Sequence, residues 1–359
     1  MLTGLGMGGA ERQVCDLADE LVSLGHNVKL VSLNSKNEAI IFPKNKEIIV
    51  EFLNMSKTPF GLFNAIFQLK KLIKNFQPDV VHCHMFHANI VGRLSRLFVK
   101  FPKLICTAHN TNEGSDIRML AYRYTNFLSD INTNVSEEAV EAFIKRQAVK
   151  KEQMFAMPNG IDTQRFQKNE LSRQSLRNEF GVNDSFVFLA VGRLEEQKDY
   201  PNLLNAFHIV NQHSPNTKLV IVGTGSLEAE LKQLVQQLGI ASNVLFVGLR
   251  KDIPEIMNIA DTYVLSSKYE GLPLVLGESM ATENIIVATD CGGTKEMMGR
   301  NGFLVIPQDH YALAEAMQKS MQLTEQEKQH MGRKAREYII SNYSLNEVAK
   351  KWVELYARK

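Results

Sequence analysis

The segment SSKYEGLPLVLGESMA, residues 266–281, decides which fold this chain can adopt. It follows the apolar run DTYVL at 261–265, and after Pro273 its apolar residues recur at the spacing of a helix. This part of the chain is therefore predicted to form a buried strand, a tight loop and a helix. Gly271 allows a ligand to approach the loop backbone, and Pro273 suits the first helical turn. Because backbone N–H groups at a helix start attract anions, the loop is predicted to bind a phosphate group.

Two carboxylates bracket this loop, Glu270 within it and Glu278 in the helix that follows. A carboxylate beside a phosphate would repel it, so these two are better suited to accept hydrogen bonds from neutral hydroxyls. A molecule that carries hydroxyls on both sides of a diphosphate is a nucleotide sugar. The alternative is that both glutamates only cap and solvate an ordinary helix, and the pair alone does not decide between the two interpretations.

The Glu270-x7-Glu278 pair resembles the signature of the retaining glycosyltransferases of family 4, which have the GT-B fold. The resemblance implies an α/β protein with two Rossmann-like parallel-sheet domains and a cleft between them. It also implies that Glu278 holds the ribose of the donor and that Glu270 holds hydroxyls of the donor sugar. The diphosphate would then be bound by the loop and helix start, namely Gly271, Leu272, Pro273, Leu274 and Val275.

Length and composition set further limits. A chain of 359 residues can form two domains with a core each, and 44% hydrophobic residues without low-complexity tracts argue against disorder and against a repeat array. The sequence shows neither an apolar run long enough to span a bilayer nor a signal peptide, so a cytoplasmic location is expected. The four cysteines lack paired spacing, which predicts reduced thiols in the core.

The basic residues are unevenly distributed, although the net charge is only +2. Between residues 67 and 103, one acid, Asp79, is accompanied by Lys70, Lys71, Lys74, Arg93, Arg96, Lys100 and Lys103. Residues 57–77 also read as an amphipathic helix with a large apolar face. Such a surface suits an anionic membrane, and peripheral membrane binding is one expectation, whereas packing on the sheet with solvated lysines is the other. Nucleic acid is not expected as a partner, because it would require a stronger overall charge.

The chain opens with a glycine-rich segment that contains a formal G-x-G-x-x-G at Gly4, Gly6 and Gly9. A dinucleotide-binding site would need a preceding strand and an acidic residue after the next strand, but that strand ends in Asn34, which disfavours a dehydrogenase. The run GMGGAER resembles the glycine loop of family 4 enzymes, which implies that Gly8 and Gly9 lie near the donor diphosphate. Because family members normally have a full strand before this loop, we expect a first strand that is truncated or missing.

Two predicted strands of the first half end in histidine, His84 and His109. Open α/β sheets bind ligands at the carboxyl ends of their strands, although an ordinary surface histidine is the alternative at each position. The resemblance to family 4 places His84 on the acceptor side and His109 beside the donor sugar, with a catalytic role. A zinc site is not expected, because neighbours such as His82 and Cys83 point to opposite faces of a strand.

A second parallel α/β pattern begins at Phe186, and its first strand leads into Arg193 and Lys198. Two cations at the end of a strand can neutralise the charge that develops on a diphosphate as the sugar leaves, although unconnected surface cations are the alternative. The run GRLEEQKDYPNLLNAF resembles the Gly-Arg…Lys pair of family 4, which implies catalytic and donor-binding roles for both. The resemblance also makes Arg250 a candidate near the nucleobase.

The predicted organisation has an acceptor-side domain at 1–165, a nucleotide-sugar-binding domain at 166–342, and a helix at 343–359 that returns to the first domain. The resemblance implies a retaining hexosyltransferase that uses a nucleoside-diphosphate sugar, expected to be a UDP-sugar. Its acceptor would be a hydroxyl of a saccharide or lipid-linked saccharide in bacterial surface polysaccharide synthesis, such as capsule or lipopolysaccharide.

No metal cofactor is expected, because the sequence has no Asp-x-Asp motif and Arg193, Lys198 and helix N-termini can take the place of Mg²⁺. Two other functional classes stay open on the sequence: a nonhydrolysing nucleotide-sugar epimerase with the same domain plan, and a non-catalytic protein that binds nucleotide sugars.

Overall fold

The computed structural model describes residues 1–6, 8–111 and 113–358 and divides the chain into two compact units. Unit 1 comprises Met1–Gly160 together with the chain from Leu345 onward, and unit 2 is Ile161–Ser344. The N–H of Ile161 donates to the carbonyl of Tyr343 at 2.7 Å. The two ends of unit 2 thus pair with each other, and its bounds lie a few residues from the predicted ones at 165 and 342.

Unit 1 alternates strands with helices. Its strands are β1 (Lys29–Ser32), β2 (Ile49–Phe52), β3 (Val80–His84), β4 (Lys103–Thr107), β5 (Ile131–Asn134) and β6 (Phe155–Ala156). Its helices before the division are α1 (Gly9–Ser23), α2 (Pro59–Phe76), α3 (Phe86–Ser95), α4 (Asp116–Thr125) and α5 (Glu137–Lys145). Strands β1 and β2 pair in parallel, as do β3, β4, β5 and β6 in that order.

The first residues of the chain take the position of a central strand in unit 1. Leu2 bridges in parallel to Ser32 of β1 on one side and to His84 of β3 on the other. Leu2 thus joins β1 and β3 through single bridges, and the truncated or missing first strand stays a prediction. A cavity of about 500 Å³ lies beside these residues, and its lining includes Met1, Val31 of β1 and Val81 of β3.

Helix α2 begins and ends where its sequence directs. The Thr58 hydroxyl accepts a hydrogen bond from the N–H of Gly61, Pro59 occupies the first turn, and Gln77 ends the helix in a left-handed conformation with φ of 51°. One face of α2 is buried in the core of unit 1 against residues of β1, β3, β4 and α3; its buried positions are Gly61, Ala65, Ile66, Leu69 and Ile73.

Unit 2 contains a six-stranded parallel sheet. Its strands are β7 (Phe186–Val191), β8 (Thr217–Val222), β9 (Val244–Phe246), β10 (Thr262–Leu265), β11 (Ile285–Thr289) and β12 (Phe303–Val305), in the order β12-β11-β10-β7-β8-β9. Its helices are α6 (Glu170–Phe180), α7 (Tyr200–His213), α8 (Glu228–Gln237), α9 (Ile253–Ile256), α10 (Leu274–Ala281), α11 (Thr294–Met298), α12 (His310–Gln322) and α13 (Glu325–Tyr343).

The strand order of unit 2 reverses between β7 and β10, which lie side by side. In open parallel sheets, ligands bind outside the carboxyl ends of the strands at such a reversal. The final helix, α14 (Leu345–Ala357), belongs to unit 1, where Val348, Trp352 and Leu355 join an apolar cluster with Leu17 and Leu21 of α1. The predicted α/β class with two parallel-sheet domains is confirmed, since every strand pair in the described ranges is parallel.

Three of the basic residues predicted to share one face have other roles. Arg93 is fully buried, and its guanidinium donates to the carbonyl of Tyr122 and the side chain of Asn132, at 3.2 and 2.6 Å. Arg96 pairs with Asp130, and the Lys103 ammonium donates to backbone carbonyls at the end of α14. The prediction of a shared basic face was wrong for these residues, because helical periodicity does not show which hydrogen-bond acceptors the neighbouring elements offer.

Helix α3 ends at Ser95. Residues beyond it form tighter i to i+3 hydrogen bonds, such as that from the N–H of Phe98 to the carbonyl of Ser95. Within the described part of the chain, no helix is both long enough and apolar enough to cross a membrane.

Candidate functional site

The loops that follow β7 and β10 contact each other at the carboxyl edge of the unit 2 sheet. The N–H of Lys268 donates to the carbonyl of Gln197 at 2.8 Å, and the hydroxyl of Ser266 donates to the carbonyl of Lys198 at 2.8 Å. The reversal of strand order thus brings together two segments that lie about 70 residues apart in sequence.

Lys198 and Glu270 form an ion pair where these loops meet. The Nζ of Lys198 lies 2.6 Å from Oε1 of Glu270, with 16% and 8% of the two side chains exposed. The hydroxyl of Ser267 donates to the same carboxylate oxygen at 2.6 Å, and the amide of Gln197 donates to the other oxygen at 3.2 Å. A charge-assisted pair with such support is held in one geometry, which suits a binding site.

A glycine turn after β11 supports the loop that carries Glu270. The N–H of Gly293 donates to the carbonyl of Gly271 at 2.7 Å. Gly292 has a φ of 55°, and a Cβ atom at this position would lie 2.1 Å from the backbone oxygen of Glu270. A side chain at residue 292 would therefore displace the loop.

Helix α10 starts directly after this loop. Pro273 precedes its first residue, Leu274, so the N–H groups of Leu274 and Val275 belong to the first turn, where a helix offers no preceding carbonyl of its own. Leu272 is buried and Glu278 is half-buried on the helix. Such amides and the positive end of a helix dipole favour anions, and phosphate binding by this loop stays a prediction.

Arg193 follows β7, and its position is set by backbone contacts with the loop after β8. The N–H of Leu194 donates to the carbonyl of Thr224 at 3.0 Å, and a Cβ atom on Gly223 would lie 2.0 Å from the oxygen of Gly192. The Arg193 side chain is exposed and makes no hydrogen bond or ion pair with the described residues. Its guanidinium is therefore available to an anionic ligand.

Arg250 differs from Arg193, because its guanidinium is already paired with two carboxylates. It contacts both carboxylate oxygens of Asp252, at 2.9 and 2.7 Å, and Glu179 at 3.0 Å. Asp252 raises the pKa of Arg250 above its ordinary value. These contacts tie the loop after β9 to α6, and donor binding by Arg250 stays a prediction.

In unit 1, the structure brings together the two histidines that were predicted on neighbouring strands. His84 Nδ1 lies 3.2 Å from His109 Nε2, and the Nδ1 of His109 is buried without a hydrogen-bond partner among the described residues. Next to His84, Met85 has φ of 71° and ψ of 162°, a combination that is almost confined to glycine and costs about 1–3 kcal/mol. Strain of this kind is concentrated at functional sites, which favours a functional role for this edge of the sheet.

A third histidine, His82, contacts His84. Its ring nitrogens lie 2.8 Å from the hydroxyl of Tyr356 and 2.7 Å from that of Thr107, and its ring centroid lies 3.9 Å from that of His84, with the two planes tilted by 35°. Burial lowers the pKa of His109 to about 4, and burial followed by neighbouring positive charge lowers the pKa of His82 and His84 well below 6.5. All three rings are therefore neutral at pH 7.

We expect the stability of the protein to fall as the pH is lowered from 6.5 toward 4. Over this interval the unfolded chain binds protons that the folded histidines do not, which removes up to about 1.4 kcal/mol per pH unit for His109 alone. Above pH 6.5 this contribution is constant. Urea unfolding at a series of pH values measures it, and His109→Gln should give a smaller slope; an equal slope would contradict the assignment.

The predicted glycine loop lies at the N-terminus of α1. Gly8 precedes the helix and Gly9 begins it, whereas Met7 of the same segment lies outside the described residues. A Cβ atom on Gly8 would approach Oε2 of Glu11 to 2.3 Å, so the glycine lets this carboxylate fold back over the helix start.

Several residues of these sites were not singled out from the sequence. Ser267 lies within the quoted segment, where a hydroxyl three residues before Glu270 could have suggested a partner, but Gln197 offers no such signal.

A buried carboxyl in unit 1, Glu113, accepts a hydrogen bond from the hydroxyl of Tyr122 at 3.3 Å, and burial raises the pKa of Glu113 to about 7. Among the residues that the structure describes, no group of three or more His, Cys, Asp or Glu side chains could hold a metal ion. Metal independence stays a prediction.

Family models match both units of the chain. The glycosyltransferase family 4 model matches residues 7–165, and the model for glycosyl transferases group 1 matches residues 172–338. An uncharacterized glycosyltransferase of Methanocaldococcus jannaschii is 31% identical over 277 residues, which cover 71% of this chain and 67% of that protein. The UDP-Gal:alpha-D-GlcNAc-diphosphoundecaprenol alpha-1,3-galactosyltransferase of Escherichia coli is 30% identical over 258 residues, covering 67% and 66%.

The fold is that of solved GT-B glycosyltransferases. The crystal structure of Anabaena HepE in complex with UDP-glucose superposes with a TM-score of 0.84 at 21% identity, covering 99% of this chain and 97% of HepE. Each unit has a parallel sheet and matches a glycosyltransferase family model. The chain therefore belongs to the glycosyltransferases of family 4.

Proposed function

We propose that this protein is a retaining, metal-independent hexosyltransferase that moves a sugar from a UDP-sugar to a hydroxyl of a lipid-linked saccharide. The observation that carries the proposal is the Lys198–Glu270 ion pair, which is largely buried and lies beside the start of α10. It puts a cation, a carboxylate and helix-start amides within one small region, and a sugar diphosphate needs these three kinds of group.

Each group in unit 2 has a chemical task in this proposal. Arg193, Lys198 and the amides at the start of α10 bind the diphosphate and stabilise its charge as the glycosidic bond breaks. Glu270 accepts hydrogen bonds from hydroxyls of the donor sugar through lone pairs that its present partners leave open, and Glu278 holds the ribose. For unit 1, the proposal takes the roles that the resemblance to family 4 implies: His84 for the acceptor, and His109, Gly8 and Gly9 for the donor.

The proposed reaction keeps the configuration of the anomeric carbon. The acceptor hydroxyl attacks from the face that the diphosphate leaves, a phosphate oxygen takes the hydroxyl proton, and no protein nucleophile takes part. Arg193, Lys198 and the helix dipole then carry the stabilisation that a divalent cation supplies in other transferases.

Two similar proteins support the choice of substrates. The Escherichia coli relative is named for transfer from UDP-Gal to GlcNAc-diphosphoundecaprenol, and HepE was solved with UDP-glucose. We therefore place the reaction in bacterial surface polysaccharide synthesis, with a UDP-hexose donor and an acceptor on the cytoplasmic face of the membrane.

The test measures release of UDP from UDP-galactose, UDP-glucose and UDP-N-acetylglucosamine with a short-chain GlcNAc-diphospholipid acceptor. We expect release to depend on the acceptor, to continue in excess EDTA, and to yield the same anomeric configuration as the donor by NMR. An inverted product or a requirement for metal would contradict the corresponding part of the proposal.

The same assay separates the other two classes. A nonhydrolysing epimerase would return an isomerised sugar still attached to UDP, and a non-catalytic binding protein would show a ligand-induced rise in thermal midpoint without UDP release. Either result would overturn the assignment as a transferase acting on these substrates.

A further inference from the structure

Helix α4 exposes a row of large apolar side chains along one face. Ile117, Leu120 and Tyr124 are 78%, 46% and 70% exposed, and Phe127, in the tight turn that follows the helix, is 78% exposed. The opposite face of α4 packs in a core of unit 1. Large apolar side chains scattered singly on a surface are common, but four in line at helical spacing form a contiguous patch. We call these four side chains the apolar row.

The apolar row follows a repeat of seven residues. Its members form two pairs that are seven positions apart in the sequence, with offsets of three and four between them. This is the pattern of a seam at which one helix packs against another. A single helix with such a seam lacks the second helix that would cover it, and no element of unit 1 supplies that helix, since the four side chains are exposed.

Two opposite charges lie along one flank of the apolar row. Asp116 and Arg123 are also seven positions apart, so they lie on the same side of the row, near opposite ends of the helix. The Asp116 side chain is 97% exposed, and its ion pair with Arg146 is a long one, at 4.0 Å. Arg123 is exposed, and its guanidinium donates to the neutral side chain of Gln147 at 3.0 Å. Both charges can therefore accept a closer counter-ion.

We propose that the apolar row binds a second copy of this chain, with the two α4 helices antiparallel about a two-fold axis near Leu120. In a two-fold interface the same patch faces itself, so the patch must be complementary to itself. An acid near one end and a base near the other end of the same flank meet this condition when the helices are antiparallel. Asp116 of one copy then faces Arg123 of the partner subunit, and the contact occurs twice.

The area and the flanking charge favour a second copy as the occupant. At these exposed fractions the four side chains offer on the order of 500 Å² per copy, against about 800 Å² per partner in a typical stable interface. We therefore expect a weak dimer, with a Kd on the order of 10 μM. An anionic lipid surface would repel the exposed carboxylate of Asp116, whereas the antiparallel copy pairs it. The inference goes beyond the proposed reaction and does not depend on it.

The first test is sedimentation velocity of the full chain without any sugar substrate, over concentrations from about 1 μM to about 200 μM. We expect the sedimentation coefficient to rise from that of a monomer to that of a dimer across this range. A protein that stays monomeric at the highest concentration would overturn the proposal.

Charge reversal tests the antiparallel geometry. Asp116→Arg and Arg123→Asp should each weaken the dimer at least about tenfold, because like charges then face each other twice. The double variant Asp116→Arg/Arg123→Asp exchanges the two charges and should restore the affinity to within about threefold of the wild type. Thermal midpoints confirm that all three variants fold. A folded double variant that is as weak as the single ones would contradict the two-fold arrangement.

Substitutions at Leu120 test the apolar contact itself. Leu120→Ser should weaken the dimer at least about tenfold, whereas Leu171→Ser, at a site in unit 2 that is 80% exposed, should leave it unchanged. Leu120→Cys should form an intermolecular disulfide with oxidised glutathione, which is reduced to two thiols, and Leu171→Cys should not; the four native cysteines are buried. A monomeric wild type that binds phosphatidylglycerol vesicles and loses this binding in Leu120→Ser would assign the row to lipid and overturn the proposal.

Discussion

Lys198→Ala is expected to lower turnover by about a hundredfold or more and to destabilise the folded protein as well. The rate falls because one group that stabilises charge on the departing diphosphate is lost. The stability falls by about 3–5 kcal/mol, because Glu270, with 8% of its side chain exposed, is left as a buried charge without its cation. Initial rates of UDP release and the free energy of unfolding in urea measure the two effects.

A second substitution separates the two roles of Lys198. In Lys198→Met/Glu270→Gln, the apolar side chain and the neutral amide remove the unpaired charge, and Ser267 and Gln197 can still hydrogen-bond to residue 270. We expect this variant to recover most of the lost stability and none of the lost turnover. Near-normal turnover in either variant would show that the pair is structural and does not bind the donor.

Arg193→Ala is expected to lower turnover by a similar factor, on the order of a hundredfold or more, without a change in stability. The side chain is exposed and makes no hydrogen bond or ion pair with the described residues, so its removal breaks nothing within the fold. Substitutions at such surface positions usually change the free energy of unfolding by less than about 0.5 kcal/mol. Comparing kcat with KM shows whether the guanidinium acts in the transition state or already in the bound donor.

Arg333→Ala supplies the matched control, since Arg333 is exposed on α13 in the same unit. It should leave both turnover and stability at wild-type values. Arg193→Lys should recover part of the activity, because an ammonium keeps the charge but loses the bidentate geometry of the guanidinium. A fully active Arg193→Ala protein would remove this residue from the proposed site.

The sequence indicated the parts of the proposed donor site better than their arrangement. Glu270, the glycine loop and the two cations could be picked out because each belongs to a local pattern, a strand followed by a turn or a helix start. The contact between Lys198 and Glu270 could not be predicted, because 72 residues separate them and a local pattern does not show which strands become neighbours. The contact of the glycine turn at Gly292 with Glu270 likewise depends on the pairing of β10 with β11, two strands that lie about 20 residues apart in the chain.

Charge is a second example. The sequence shows that the region around α2 and α3 is basic, but Arg93 is buried and donates hydrogen bonds to Thr125 of α4 and Asn132 of β5, while Lys71 stays exposed. Helical spacing defines faces, and the neighbours of the helix decide which face is covered.

By itself, the sequence determined that this protein is built from parallel α/β units and that a tight loop and a helix start follow the strand before residue 266, because hydrophobic periodicity and turn residues act over a few positions. The tertiary structure decided which charges pair and which aromatic side chains remain exposed. The physical reason is that ion pairs and burial depend on elements that are distant in the chain and adjacent in space.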